Sequence, residues 1–282
     1  MGEHLRMLRH YARLRPVLDG LGGTPLPVTV RARFANVREL LAPSAEPEPE
    51  VAALMPGIRR PGATPSRPIA RLIESLASVE EGLGAAHYHA QRVEELERRI
   101  AEVCKTSMAG DGPDQGTVAF RAPVLGFEYH AFLFALRRSL DYLAGGVAAC
   151  FGHQSQSIRR LPRTLTPTEP ASRVRDIQRL LAAASPYLSS ILTDGNDRSV
   201  RDQVAHWEVV DAGYFNVRWD EQGEVIIELV GGGENLPPFR DLDAGIAPLG
   251  ELLRGQIAIA EDLVFDLVES ASAAQRERSE RR

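Results

Sequence analysis

"GFEYHAFLFALRRSLDYLAGGVAACF", residues 126–151, is the stretch on which the architecture turns. Its apolar side chains Phe127, Phe132, Phe134, Leu136, Leu140, Leu143, Val147 and Cys150 recur at helical spacing and nearly encircle the axis. A helix that is apolar on most sides has to be covered on most sides. The flanking sequence supplies the cover. Upstream, "PIARLIESLASVEEGLGAAHYHAQRVEELERRIAEVC" keeps Ile69, Leu72, Ile73, Leu76, Val79, Leu83, Ala86, Ala90, Val93, Leu96, Ile100 and Val103 three or four apart. Pro68 opens this helix, where a missing N–H costs little, and "MAGDGPDQG" stops it, giving residues 68–106. Unbroken, it would be about 50 Å long at ~1.5 Å per residue, with Gly82 and Gly84 as places to bend. It is expected to pack on the second half of the chain or on a partner subunit.

Downstream, "GHQSQSIRRLPRTLTPTEP" reads as a loop, and "EPASRVRDIQRLLAAASPYLSSILT" as one or two helices interrupted near Pro186. Residues 196–210 form another short helix. In "GYFNVRWDEQGEVIIELV", Phe215, Val217 and Trp219 alternate, as do Val225, Ile227 and Leu229 across a DEQG turn, which predicts a β-hairpin over 213–230. A final helix is expected near 244–270, with Ile246, Leu249, Leu252, Leu253, Ile257, Ala260, Leu263, Val264, Leu267 and Val268 on one face. The polar tail 273–282, "AQRERSERR" with the residue before it, is expected to fray. The fold class is therefore all-α, a helical bundle with an inserted hairpin over residues 116–272.

Residues 1–115 form a separate N-terminal region. "HLRMLRHYARLRPVL" is a short arginine-rich helix ending near Pro16, and "PVTVRARF" alternates Val28, Val30 and Phe34 loosely, a weak strand signal. Residues 42–68, "APSAEPEPE" through "PGIRRPGATPSRP", are proline-rich and read as a linker or ordered loop.

With 282 residues and 44% hydrophobic content, the chain can build a sizeable core. It holds no run of about 18 apolar residues, so no membrane span is expected. The charged start lacks a signal-peptide core, and Cys104 and Cys150 stand far apart, both fitting a reducing cytoplasm. A net charge of -5 argues against a nonspecific nucleic-acid coat but leaves room for a local basic groove. Lys105 is the sole lysine, so the basic character is arginine's.

Metal and cofactor chemistry finds no motif. His87 and His89 are two apart on a helix, hence about 200° apart around it, and cannot share a metal. There is no H-E-x-x-H, no C-x-x-C, no G-x-x-x-x-G-K-[ST] and no G-x-S-x-G, and the "GGG" at 231–233 has no helix behind it to receive a phosphate. His130 reads as partly buried and His153 as a loop histidine. Neither metal nor cofactor is expected.

The candidate chemistry lies in "NDRSVRDQVAHWEVV", residues 196–210, where Arg201 and His206 are separated by four residues and Asp202 follows the arginine. With 7 histidines and about thirty arginines such a pair arises about once by chance, so its context has to carry it. That context, "FLFALRRSLDYLA", another helix, "RSVRDQVAHW" and a closing amphipathic helix, resembles the HEPN superfamily over roughly residues 127–270. "RDQVAH" fits the Arg-polar-x-x-x-His pattern of that superfamily residue for residue. Glu208 stands where some HEPN toxins carry a tyrosine, and the hairpin is an addition to the minimal bundle. The resemblance implies a four- or five-helix bundle, a homodimer, and a metal-independent endoribonuclease in a toxin–antitoxin or antiphage setting. It also admits a non-catalytic scaffold or interaction module, a partner of a nucleotidyltransferase or of a cognate antitoxin or other regulatory protein.

The residue types suit RNA cleavage. RNA carries its own nucleophile, the 2′-hydroxyl; His206 titrates near neutrality and can take its proton. Arg201 can stabilise charge on the phosphoryl oxygens through its fixed, always-charged fork. Asp202 would orient Arg201 or cap the helix, with Ser199 completing a weak capping box. Five positions on a regular helix turn about 500°, leaving Arg201 and His206 about 140° apart. Either Arg201 sits in an irregular first turn, or two copies of the motif meet across a two-fold axis. Arg159, Arg160, Arg163, Arg173, Arg175 and Arg179 could form a phosphate-binding rim; a solvated face ion-paired with Glu169 and Asp176 is the preferred alternative. Asp141 either pairs with Arg201 across the bundle or sits at the surface.

Overall fold

A computed structural model describes residues 26–42, 44–45, 60–61, 66–108, 118–166, 168, 170–188, 190–192, 212–219, 222–231 and 249–281. In chain order these are α1 (Val28–Leu41), β1 (Ser44–Ala45), β2 (Arg60–Pro61), α2 (Arg67–Met108), β3 (Val118–Arg121), α3 (Pro123–Cys150), a 3-10 turn (Ile158–Arg160), α4 (Leu161–Leu165), α5 (Ala171–Ala184), β4 (Gly213–Trp219), β5 (Val225–Gly231) and α6 (Leu249–Glu280).

The central pair is α2 and α3. On α2, Leu72, Leu76, Val79, Leu83, Ala86, Ala90 and Val93 are buried in alternating steps of four and three, a continuous stripe down one side. On α3, Leu125, Tyr129, Phe132, Leu133, Leu136, Leu140, Leu143, Ala144 and Val147 are buried. The two helices run antiparallel. Gly82 lies against Ser139, while Gly146, later on α3, lies against Ser75, earlier on α2. Both contacts are close: a Cβ built on Gly82 would sit 2.2 Å from Ser139 Oγ, and one on Gly146 2.9 Å from Ser75. Gly82, expected as a bend, is instead where the two backbones approach.

α6 covers the opposite side of α2 and α3 with Leu253, Ile257, Ala260, Val264, Leu267 and Ala271. α1 closes the bundle beside α6, its buried Phe34 tilted against Phe265 at 5.0 Å between ring centroids. One buried cluster contains residues of α1, α2, α3, α5 and α6, so the core crosses residue 115 without a break. His87 pairs with Glu261 of α6 at 2.8 Å and His89 with Glu128 of α3 at 2.7 Å. Their separation around the α2 axis thus ties two different helices to it.

Several elements differ from the sequence reading. Residues 28–34 are helical rather than strand. Val30 and Phe34, four apart, are buried while Val28 is 70% exposed, so the spacing that matters is the helical one. The stretch 152–170 is only partly loop, because Ile158, Leu161 and Leu165 turn inward on the 3-10 segment and α4. The hairpin gains a third strand: β3 pairs antiparallel with β4 in the order β3-β4-β5. Phe120 faces Phe215 in that register, rings stacked at 5.4 Å, and β3 then leads into α3. The predicted frayed tail is helical to Glu280. Arg278 Nη1 donates to the Cys150 carbonyl at 3.1 Å, satisfying the C-terminal end of α3, and Glu277 accepts from Arg173 Nε at 2.8 Å. The short helix predicted around residue 10 lies outside the described residues.

The start of α6 is held by a side chain from α2. Glu97 accepts from the Leu249 and Gly250 backbone N–H groups at 2.6 and 3.0 Å, an N-terminal cap supplied from another helix. Burial pushes the Glu97 carboxyl above its ordinary value near 4.5, the two N–H donors pull it back, and neighbouring Glu94 raises it further. Among the described residues no helix is long and apolar enough to cross a membrane.

Two stability predictions follow from this packing. Phe34→Ala should lower the unfolding free energy by ~3–5 kcal/mol, and Val28→Ala by less than ~0.5 kcal/mol. Chemical denaturation checks both, and comparable losses would restore the strand reading. For Glu97 the folded state holds its proton more tightly than the unfolded state, so the group favours folding at low pH. That contribution is lost as pH rises through the raised value. The stability of the wild type relative to Glu97→Gln should therefore fall as pH climbs past the ordinary carboxyl value near 4.5 and level off once the raised folded-state value is passed. An opposite slope in paired denaturation curves would show that the N–H cap outweighs burial.

Candidate functional site

Arg201, Asp202 and His206 lie outside the described residues, but the chain on either side of them does not. Before the segment, Leu188, Ile191 and Leu192 are buried; after it, Ala212 is buried and β4 begins at Gly213. Two hydrogen bonds pin the leading flank. Arg137 Nη1 donates to the Ile191 carbonyl at 2.7 Å, and Gln256 Nε2 donates to Ser190 Oγ at 3.1 Å. The first comes from α3 and the second from α6, so the flank is fixed to both.

Arg137 is the hub of this region. It points inward from α3 with only 8% of its side chain exposed. Nε donates to Asp141 Oδ2 at 2.9 Å and Nη2 to Ser157 Oγ at 3.0 Å, besides the bond to Ile191. Asp141, one turn on, also accepts the Ile158 N–H on Oδ1 at 2.8 Å. Asp141 is therefore half-buried and occupied. It neutralises Arg137 and holds the start of the 3-10 turn, so it is not the surface carboxylate that one reading expected. Any contact with Arg201 falls outside the described residues. Every donor-bearing nitrogen of the buried guanidinium has an acceptor, which is what makes its burial tolerable.

The remaining arginines divide by element. Arg159 and Arg160 are exposed on the 3-10 turn and Arg163 on α4. Arg173 on α5 is engaged by Glu277 and, at 3.5 Å, by Asp176; Arg179 also pairs with Asp176. On α5, then, the ion-paired face describes Arg173 and Arg179, with Asp176 as the shared carboxylate. α4 and α5 are joined by Gln178, whose amide donates to the Pro162 carbonyl and Thr166 Oγ1 at 3.4 Å. His153, on the loop after α3 as expected, bonds Thr168. Among the described residues no group of three His, Cys, Asp or Glu side chains could hold a metal ion.

Arg137 was missed as a candidate, although the sequence carried a signal for it. In "RRSLDY" Arg137 and Asp141 are four apart, the spacing of an intrahelical ion pair, on a helix that is apolar on most sides. A charge pair there must be buried and must serve something beyond its own helix.

No protein-family model, curated protein or solved structure matches this chain.

Asp141→Ala strands a buried guanidinium and the Ile158 N–H together. Allowing for the partial exposure of Asp141, the cost should be about 2–3 kcal/mol. Asp141→Asn keeps an acceptor and should lose less. If both variants melt with the wild type, the Arg137 network is not holding this region.

Proposed function

We propose that the chain is a HEPN-type, metal-independent endoribonuclease that acts as a homodimer. The observation that carries the reading is "RDQVAH" at 201–206, set in a mostly helical chain between a long apolar helix and a closing amphipathic one. The pinned flanks support it, because a phosphoryl-transfer site that uses side chains alone depends on positioning.

On this reading His206 takes the proton of the 2′-hydroxyl as that oxygen attacks the adjacent phosphorus. The bond to the 5′-oxygen breaks, and that oxygen leaves with a proton from the imidazolium or from water. The products are a 2′,3′-cyclic phosphate and a 5′-hydroxyl end. Arg201 stabilises the equatorial oxygens as charge builds on them, and Asp202 orients Arg201. The angular separation of Arg201 and His206 favours a site completed by a second copy. The toxin or antiphage setting rests on the resemblance alone. The second reading is a non-catalytic scaffold with the long helix as its working surface; against it, the apolar stripe of that helix is buried within this chain's own core.

Labelled RNA incubated with wild type, Arg201→Ala and His206→Ala in excess EDTA tests the proposal. Wild type should cut and leave cyclic-phosphate ends; each variant should be slower by about 10²-fold or more while melting normally. Specific activity should fall on dilution below the dimer dissociation constant. Wild-type cleavage by a variant removes that residue from the mechanism, and silence of the wild type favours the scaffold.

A further inference from the structure

Beside the Arg137 network, a groove of about 580 Å³ runs along α3. Its walls are Phe134, Arg138 and Tyr142 on α3, Ser75 on α2, and Ser155 and Gln156 on the loop that follows α3. The size lies within the range of small-molecule sites. What distinguishes it is the order of side chains along one helix.

Phe134, Arg138 and Tyr142 are four apart, so each lies about 6 Å further along α3 and about 40° further around it. The result is a guanidinium between two aromatic rings. Phe134 is 40% and Tyr142 39% exposed, whereas Tyr129, Phe132 and Phe151 on or next to the same helix are at most 1% exposed. Phe127, at the amino end of the same helix, is exposed as well, so what sets the two groove rings apart is that they flank Arg138.

Arg138 differs from Arg137 in what holds it. Its Nε and Nη2 donate to the Tyr142 hydroxyl at 3.1 and 2.9 Å, and its guanidinium lies 5.3 Å from the ring centroid. Among the described residues no carboxylate pairs with it. Arg137 and Asp141, on the floor, neutralise each other, so the groove carries the positive charge of Arg138. A neutral phenol oxygen is a weak acceptor beside a phosphate oxygen, which would make a shorter, charge-assisted bond. The arginine is held in place by a partner that an anion can displace without breaking an ion pair.

We propose that this groove binds single-stranded RNA, taking a backbone phosphate on Arg138 and stacking an unpaired base on Tyr142, with Phe134 at the next position. The inference deepens the ribonuclease reading and takes from it the choice of RNA as ligand. A cationic groove with rings at its rim suits unstacked bases, since every base offers a π-face and a duplex hides it. Ser75 and Gln156 line the groove with a hydroxyl and an amide for base edges or 2′-hydroxyls, while the Ser155 hydroxyl is engaged by the Ser157 backbone.

The test uses the full chain carrying His206→Ala, so that RNA is not consumed, and a fluorescein-labelled single-stranded RNA read by anisotropy in EDTA. Adding Arg138→Ala or Tyr142→Ala should weaken binding by about tenfold each. Arg138→Ala should also flatten the slope of log affinity against log salt by about 0.7. Tyr142→Phe, which keeps the ring, should bind more tightly than Tyr142→Ala, and Arg98→Ala, an exposed arginine on α2 outside the groove, should bind close to the parent. Arg138→Gln stands in if Arg138→Ala does not fold. Unchanged affinity in folded Arg138 and Tyr142 variants overturns the proposal, as does a folded parent protein that binds no RNA. Loss of affinity in both variants supports it whether or not the wild type cleaves. Failure of the groove and failure of the ribonuclease reading thus register in separate assays.

Discussion

The close antiparallel approach of α2 and α3 is the constraint on which the rest of the molecule depends. Helix axes pack at about 8–10 Å, and the near end of that range requires small residues at the contact. Gly82 and Gly146 provide them, each facing a serine on the other helix. Because the backbones approach at two points on opposite helices, the pair is locked in register as well as in distance. Leu76 and Val79 of α2 and Leu140 and Leu143 of α3 fall between these points, and the rest of both stripes continues beyond them. The outer faces of the pair remain to be covered. α6 and α1 cover part of that surface, and α5 and the turns after α3 cover more.

Long helices leave long-range problems at their ends, and this fold solves them with charged or polar side chains from distant parts of the chain. Arg278 reaches back to the carbonyl end of α3, Glu97 caps the amino end of α6, and Asp141 holds the first N–H of the 3-10 turn. Each joins an orphan backbone group to a different element, more than a hundred residues away for Arg278 and Glu97, so local order and tertiary packing depend on one another. The two histidine–glutamate pairs do the same across the middle of α2. Contacts of this kind contribute modestly to stability when exposed. Their main effect here is to specify which helix ends meet.

This explains which parts of the structure could be read from the sequence. α2, α3 and the β4–β5 hairpin were legible because their apolar periodicity runs for many residues and has one explanation. α1 was not, because Val28, Val30 and Phe34 satisfy a loose alternation as well as a helical spacing, and only burial decides between them. The end of α6 looked like a frayed tail because "RERSER" has no apolar face; its order comes from Arg278 and Glu277 acting over more than a hundred residues. β3 is four residues long and acquires meaning only from its partner strand. For the site, the motif at 201–206 was visible as a pattern. Of Arg137 only the i, i+4 spacing to Asp141 was legible; its contacts with Ile191 and Ser157 were not, since no local spacing connects them to it.

The same network bears on how an active site could be built here. A buried guanidinium with an acceptor on each of its three nitrogens is costly to move, because each displaced bond leaves a desolvated group behind. Arg137 spends one of those bonds on the Ile191 carbonyl, and Gln256 holds the neighbouring Ser190. The entry to the segment bearing Arg201 and His206 is therefore referenced to α3 and α6, two long helices of the bundle. On the ribonuclease reading this is the useful arrangement. Arg201 and His206 diverge by about 140° on a regular helix, so a productive site needs either local distortion or a second copy, and both require a fixed base from which to act. On the same proposed reading, Arg138 is the complementary element, a cation on the adjoining face of α3 held, among the described residues, by the neutral Tyr142 hydroxyl rather than by a carboxylate. RNA would be held there without disturbing the neighbouring guanidinium that keeps the frame in place.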